Sequence, residues 1–203
     1  MIMTKPEVAR HIYIGNILYP VHSLGPGTRI GIWLTGCHRN CHGCISPEFK
    51  IQHPTERINT EDLLKTMKRV FKNINVDGIT ISGGEPFLQP GALAILVEGL
   101  HRLFSHRSSK IDILVYTGFT LQELKNMRKE SVHSILSNIS VLIDGQYLEK
   151  ENNNSPLRGS DNQIIHYLDP KCKKKYNEYM KEGNSLQVFS EGNHIITVGI
   201  KGD

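Results

Sequence analysis

The sequence predicts an α/β fold: a partial (β/α) barrel of mostly parallel strands, with a C-terminal helix and β-hairpin as an extension. Three observations lead to it. Strand-like and helix-like segments alternate along the chain, and repeated β-then-α units imply parallel strands joined by right-handed crossovers. The strand-like segments run into turns rich in glycine or polar residues, as they do where ligands gather at the carboxyl ends of parallel strands. The units are too few to close an eight-stranded barrel, so a partial barrel or an open curved sheet fits the count. A chain of 203 residues suits one domain, and residues 1–203 read as one, with 170–203 as the extension.

Taken in order, residues 11–18 and 30–34 are strand-like, and the second run leads directly into clustered cysteines. Thr60 is placed to cap a helix through residue 71, with Glu61 and Asp62 in its first turn, where carboxylates face the positive end of the helix dipole. Residues 78–82 form a short β-branched run that ends in Gly83-Gly84-Glu85-Pro86, and Pro90 opens a second helix to about residue 106. Residues 111–116 read as a buried strand, after which Thr120-Leu121-Gln122-Glu123 has the form of a capping box. Residues 141–143 make another strand, closed by Asp144-Gly145. Residues 149–155 are polar and turn-rich and predict a mobile loop. Residues 170–182 read as a basic helix, and 186–190 with 194–200 as a hairpin around Glu191-Gly192-Asn193. The cysteine loop, Gly83-Gly84-Glu85-Pro86, Thr117-Gly118 and Asp144-Gly145 all follow predicted strands and should converge on one face.

Composition is that of a globular chain, without a membrane-length apolar run or the apolar block of a signal peptide near residue 1, so a cytoplasmic protein without a membrane partner is expected. The formal charge of +4 comes largely from Lys171, Lys173, Lys174 and Lys175, which read as a solvated helix face. No aromatic residues interleave with them as a base-stacking platform requires, which argues against nucleic acid as a partner.

Three of the four cysteines fall within Gly36-Cys37-His38-Arg39-Asn40-Cys41-His42-Gly43-Cys44. Such clustering points to metal, since disulfide frameworks spread their cysteines along short secreted chains. Three thiolates on one loop can each take one iron of a cubane 4Fe–4S cluster; electron-transfer clusters use four, so three leave an iron open for chemistry. A structural zinc site completed by His38, His42 or a distant histidine competes with this reading. Cys172 could be a fourth ligand, although its lysine-rich surroundings predict an exposed thiol.

The Cys-x3-Cys-x2-Cys spacing of Cys37, Cys41 and Cys44, followed by Ile81-Ser82-Gly83-Gly84-Glu85-Pro86, resembles the radical S-adenosylmethionine (SAM) superfamily. That resemblance implies a 4Fe–4S cluster on the three cysteines and SAM held at its methionine end by Gly83, Gly84 and Glu85. Glycine permits close backbone approach, and a carboxylate accepts from an ammonium, so the chemistry agrees. Thr117 and Asp144, at strand ends, are expected to line the SAM pocket, and Arg158 to grip a carboxylate or a partner backbone or to serve its own loop. Further segments resemble the activating-protein group of anaerobic ribonucleotide reductases: residues 24–34, Gly43, Tyr116-Thr117-Gly118-Phe119, Leu142-Ile143-Asp144-Gly145 and Leu157-Arg158-Gly159-Ser160-Asp161-Asn162-Gln163.

That closer resemblance implies reductive cleavage of SAM to a 5′-deoxyadenosyl radical, which takes a hydrogen from a glycine of a glycyl-radical enzyme partner. It also implies a one-electron donor such as flavodoxin or ferredoxin, and no acid–base catalytic residue. Ile45-Ser46-Pro47-Glu48-Phe49 departs from the group, which often places an Asn-Pro pair and an aromatic there, and the C-terminal helix and hairpin exceed its minimal form. A radical SAM enzyme acting on a small molecule or peptide, and a non-catalytic metal-binding module, are therefore the alternatives.

Overall fold

A computed structural model describes residues 10–105, 111–192 and 194–200. The predicted helix end at residue 106 and the turn residue Asn193 lie outside the described residues. Strands β1 (His11–Val21), β2 (Arg29–Leu34) and β3 (Arg57–Asn59) precede helix α1 (Thr60–Phe71). Then come β4 (Gly78–Gly83), α2 (Pro90–Phe104), β5 (Asp112–Tyr116), α3 (Leu121–Asn126), α4 (Glu130–Asn138) and β6 (Val141–Asp144). Strand β7 (Ile164–Tyr167), helix α5 (Lys173–Met180) and the hairpin β8 (Gln187–Glu191) and β9 (His194–Val198) complete the order.

The main sheet has seven strands in the order β3-β1-β2-β4-β5-β6-β7. Its four central strands, β2, β4, β5 and β6, are parallel, while β1, β3 and β7 join antiparallel at the sides. The order has two ends, so the sheet is open. Hydrophobic side chains alternate between its faces, as a period of two requires. Ile79, Ile81, Ile113, Val115 and Leu142 pack beneath α1, α2 and α4 against Leu63, Leu96, Leu100 and Ile135. On the opposite face Leu114, Val141 and Ile143 meet Leu157, Cys172 and Tyr176.

Local signals explain the helix starts. Thr120 Oγ1 accepts from Glu123 N at 3.2 Å and Glu123 Oε2 accepts from Thr120 N at 2.6 Å, the predicted capping box. The cap of α1 is Asn59, one residue earlier than expected, and its side chain accepts from the amides of Glu61 and Asp62. The sequence pattern predicts none of β3, β7 and α4.

The amino ends of the parallel strands carry a buried ion network. Arg29, Gly78 and Asp112 stand in register on β2, β4 and β5. The Arg29 guanidinium, fully buried, crosses the space that a Gly78 side chain would fill, since a Cβ there would lie 2.3 Å from Nη1. It meets Asp112 Oδ1 at 2.8 Å and donates to Thr80 Oγ1 and to the Ile79 carbonyl. The Tyr176 hydroxyl donates to Asp112 at 2.6 Å, and Lys175 closes on the same carboxylate. Lys171, Lys173 and Lys174 are solvated as expected, but Lys175 and Tyr176 anchor α5 to the sheet. Cys172 contradicts the expected exposed thiol: it is buried against the second face, because the lysines around it point outward from the same helical turn.

The hairpin is also anchored. Val198 and Ile200 pack on Val21, Leu24 and Trp33, and Ser23 Oγ donates to the Val198 carbonyl at 2.9 Å. Residues 149–155, predicted mobile, form a turn held by Asp161, whose amide donates to the Glu151 carbonyl at 2.8 Å and whose carboxylate receives Asn153 and Ser155.

Candidate functional site

The loops at the carboxyl ends of β2, β4, β5 and β6 surround one cavity of about 380 Å³, within the range of small-ligand sites. Cys37, Cys41, Cys44, Gly83, Gly84, Glu85 and Thr117 all line it, so seven of the eight predicted site residues come together. Asp144 does not. The wall there is Gly145, while Asp144 Oδ2 accepts from Leu121 N at 2.5 Å, behind the cavity at the start of α3. His166 Nε2 lies 2.9 Å from the same oxygen without the alignment of a hydrogen bond. Asp144 thus ties α3 and β7 to the end of β6.

Backbone pairing fixes the cysteine loop at its base. Gly36 N donates to the Phe49 carbonyl and Cys37 N to the Lys50 carbonyl, each at 2.9 Å, so the entering and leaving segments run side by side. The β4 turn is bonded to this base, with Gly84 N donating to Leu34 O at 2.7 Å and Glu85 N to Gly36 O at 2.8 Å. This accounts for the two glycines. A Cβ on Gly84 would stand 2.4 Å from the Gly36 carbonyl oxygen, and one on Gly83 would stand 2.1 Å from the Leu34 oxygen, at a φ of +106° that disfavours side chains. Their first use is to let two backbones touch, which sets the Gly83-Gly84-Glu85-Pro86 turn against the cysteine loop.

Glu85 is 2% exposed, and its carboxylate brackets the next loop. Oε1 accepts from Phe87 N at 3.0 Å and from Thr117 Oγ1 at 2.8 Å, and Oε2 accepts from Gly118 N at 2.8 Å. A carboxylate has about four acceptor positions, so one remains on Oε2. Burial pushes the Glu85 carboxyl above its ordinary range, against these three bonds and the Arg39 charge.

Among the described residues no three His, Cys, Asp or Glu side chains converge to hold a single metal ion. A cubane does not require this, because each thiolate binds a different iron. Burial raises the Cys37 thiol's pKa, the Arg39 amide opposes this, and Glu85, Cys41 and Cys44 push it further up. Three thiols and a buried carboxylate around one cavity thus call for a cationic centre. The donor set fits a 4Fe–4S cluster.

Sequence reasoning missed several residues of this face. Arg39 enters the cavity between two cysteines, where a long cation among thiols was the available signal. Gln163 accepts from Gly159 N at 2.8 Å and donates to the Gly145 carbonyl at 2.9 Å, closing the far wall. Glu149 meets His42 Nδ1 at 2.6 Å and lies over Gly43, where a Cβ would stand 2.6 Å from its Oε1. Val198 and Ile200 of the hairpin wall the side next to Trp33. Arg158 lies elsewhere: it donates to the Asp161 and Gln163 carbonyls at 3.3 Å and so serves its own loop.

Residues 23–166 match the family model described as 4Fe-4S single cluster domain, and the chain belongs to this radical SAM family. Within the family it is similar to the anaerobic ribonucleoside-triphosphate reductase-activating protein of Escherichia coli (strain K12), at 32% identity over 74% of this chain and 96% of that one. The protein of the same name from Pasteurella multocida is 35% identical over 70% of this chain and 89% of that one. That of Enterobacteria phage T4 is 27% identical over 73% and 90%. Among solved structures the chain is similar to QueE from Escherichia coli, with a TM-score of 0.43 and 17% identity over 58% of this chain and 59% of that one. The family match ends at residue 166, so α5, β8 and β9 lie beyond it. No helix among the described residues is long and apolar enough to cross a membrane.

Proposed function

We propose that this chain is an activase that generates a glycyl radical on a partner of the anaerobic ribonucleoside-triphosphate reductase class. The supporting observation is the meeting of Cys37, Cys41 and Cys44 with Gly83, Gly84 and Glu85 in one cavity. When bound, the reduced cluster and SAM supply a one-electron cleavage that yields methionine and a 5′-deoxyadenosyl radical, which takes a hydrogen atom from a glycine Cα and leaves as 5′-deoxyadenosine. The electron comes from a donor such as flavodoxin or ferredoxin.

The chain's own residues bind and orient. Cys37, Cys41 and Cys44 would hold the cluster, on a loop bonded to the β4 turn. The remaining acceptor position of Glu85 Oε2 takes the methionine ammonium, while Gly83 and Gly84 keep that oxygen close to the cysteine loop. Thr117 holds the Glu85 carboxylate, and Asp144 acts at one remove through α3 and Gly145. Trp33, Val198 and Ile200 shed water from one side. An open sheet, curved as part of a barrel within a single domain, admits a partner loop from the other.

The test mixes the reduced, reconstituted chain with SAM and its cognate reductase and records electron paramagnetic resonance. An organic radical on the reductase, with hyperfine splitting altered by deuterated glycine, is expected; a reductase that never acquires one refutes the activase reading. One observation favours the second reading, a radical SAM enzyme of a small molecule or peptide: the hairpin walls the cavity from beyond the family match. SAM cleavage stimulated by such a substrate without the partner would establish it.

A further inference from the structure

Strand β9 borders the cysteine cavity by its edge. Ile196, Thr197, Val198, Gly199 and Ile200 all line that cavity, and no residue of β8 does. A strand turning one face to a cavity would line it with every second residue, so an unbroken run means that the backbone edge faces it. The register of the hairpin says which backbone groups lie there. Glu191 pairs with His194 across two intervening residues, and Phe189 with Ile196 and Gln187 with Val198 follow in step. In an antiparallel ladder the closing pair and every second pair after it carry the hydrogen bonds, and the pairs between carry none. Those between are Ser190 with Ile195 and Val188 with Thr197, so the N–H and C=O of Ile195 and Thr197 point away from β8. Among the described residues no backbone bond reaches them from outside the hairpin.

This edge is held still. Gln187 donates to the Pro20 carbonyl at 2.6 Å and accepts from His22 N at 2.9 Å, while Phe189, Ile196 and Val198 pack with Trp33. The other face of the hairpin is bare, with Val188 63% and Ile195 76% exposed. An unpaired strand edge beside exposed apolar side chains recognises an extended polypeptide, whose backbone gives affinity and whose alternate side chains give selectivity. The occupant follows from the place, because the edge is itself a wall of the cavity in which the hydrogen donor must sit. Resting on the activase reading above, we propose that the glycine-bearing segment of the partner reductase docks as an added strand on β9, pairing with Ile195 and Thr197.

The test uses the full, anaerobically reconstituted chain with SAM and its cognate reductase, and reads the KM for the reductase from the glycyl radical formed. Thr197→Pro removes the outward N–H at an edge position, where proline is tolerated. It should raise that KM about tenfold, the order for one or two lost hydrogen bonds, with iron content as the check on folding. An unchanged KM overturns the proposal. Should Thr197→Pro lose iron, synthetic peptides of the reductase's glycine segment, N-methylated at alternate amides, compete with the reductase for the parent chain. Methylation in one alternation should abolish competition and in the other preserve it; equal effects, or no competition by any peptide, overturn the strand pairing. A parent chain that sediments as a dimer, beside a monomeric Thr197→Pro, gives the edge to a second copy and overturns the proposal too. A parent that cleaves SAM and never places a radical on the reductase refutes the activase reading itself, whereas radical transfer by Thr197→Pro with the parent's KM refutes only the docking.

Discussion

Replacing Asp112 by alanine tests whether the C-terminal extension is anchored from beneath the sheet. The substitution leaves the fully buried Arg29 guanidinium without its carboxylate and takes the acceptor from Tyr176 and the ion partner from Lys175. Removing one member of a buried pair costs about 3–5 kcal/mol, because the remaining charge stays desolvated. The Thr80, Ile79 and Pro26 oxygens still receive Arg29, which argues for the lower part of that range. For a chain of this size the loss corresponds to a melting point lower by about 6–20 °C. Thermal unfolding of the reduced, metal-free chain, followed by circular dichroism, measures it. Lys175→Ala is the control: its side chain is 41% exposed, so it should cost about 1 kcal/mol or less. The pH dependence carries a sign. Burial alone would raise the Asp112 carboxyl, but the Arg29 charge and hydrogen bond, followed by Lys175, outweigh it and hold it below its ordinary value. The stabilisation is therefore fully present above the unfolded value of about 4 and is lost as pH falls through the folded one, so parent and variant should converge in acid. An Asp112→Ala chain within 1 kcal/mol of the parent at neutral pH, in the sense of an ordinary surface substitution, would refute the reasoning.

Gly84→Ala should destabilise the apo chain by about 1–3 kcal/mol or more, because its Cβ would meet the Gly36 carbonyl oxygen at 2.4 Å; a denaturant midpoint equal to the parent's would show that the two turns are not in contact. Cys172→Ala should leave iron content unchanged, since Cys172 is buried on the α5 face and does not line the cavity; iron lost in proportion to a fourth thiolate would place it at the cluster instead.

Much of this site is legible in the chain because its chemistry is local. Three cysteines on one loop and a Gly-Gly-Glu-Pro turn after a β-branched run need no distant partner to be recognised, and the Thr120 capping box is complete within four residues. What eluded the sequence depends on contacts between distant segments. Cys172 sits among lysines in sequence, yet one helical turn sends it inward and three of the lysines outward. Asp144 follows a strand like the other site residues, but its side chain turns to the α3 amide, which only the packed structure reveals. Strand β7 is four residues long, and its pairing with β6 gives it its identity. The backbone pressed against Gly83 and Gly84 belongs to residues 33–36 and 49, distant in sequence.

The three-cysteine cavity is proposed to hold a cluster with an iron open to SAM. This is tested by the electron paramagnetic resonance spectrum of the reduced, reconstituted chain, carrying about four irons, before and after addition of SAM. SAM should alter the cluster signal in the parent, and Cys41→Ala should give neither the signal nor the change. A spectrum indifferent to SAM in the fully loaded parent, or a full cluster responding to SAM in Cys41→Ala, would contradict it.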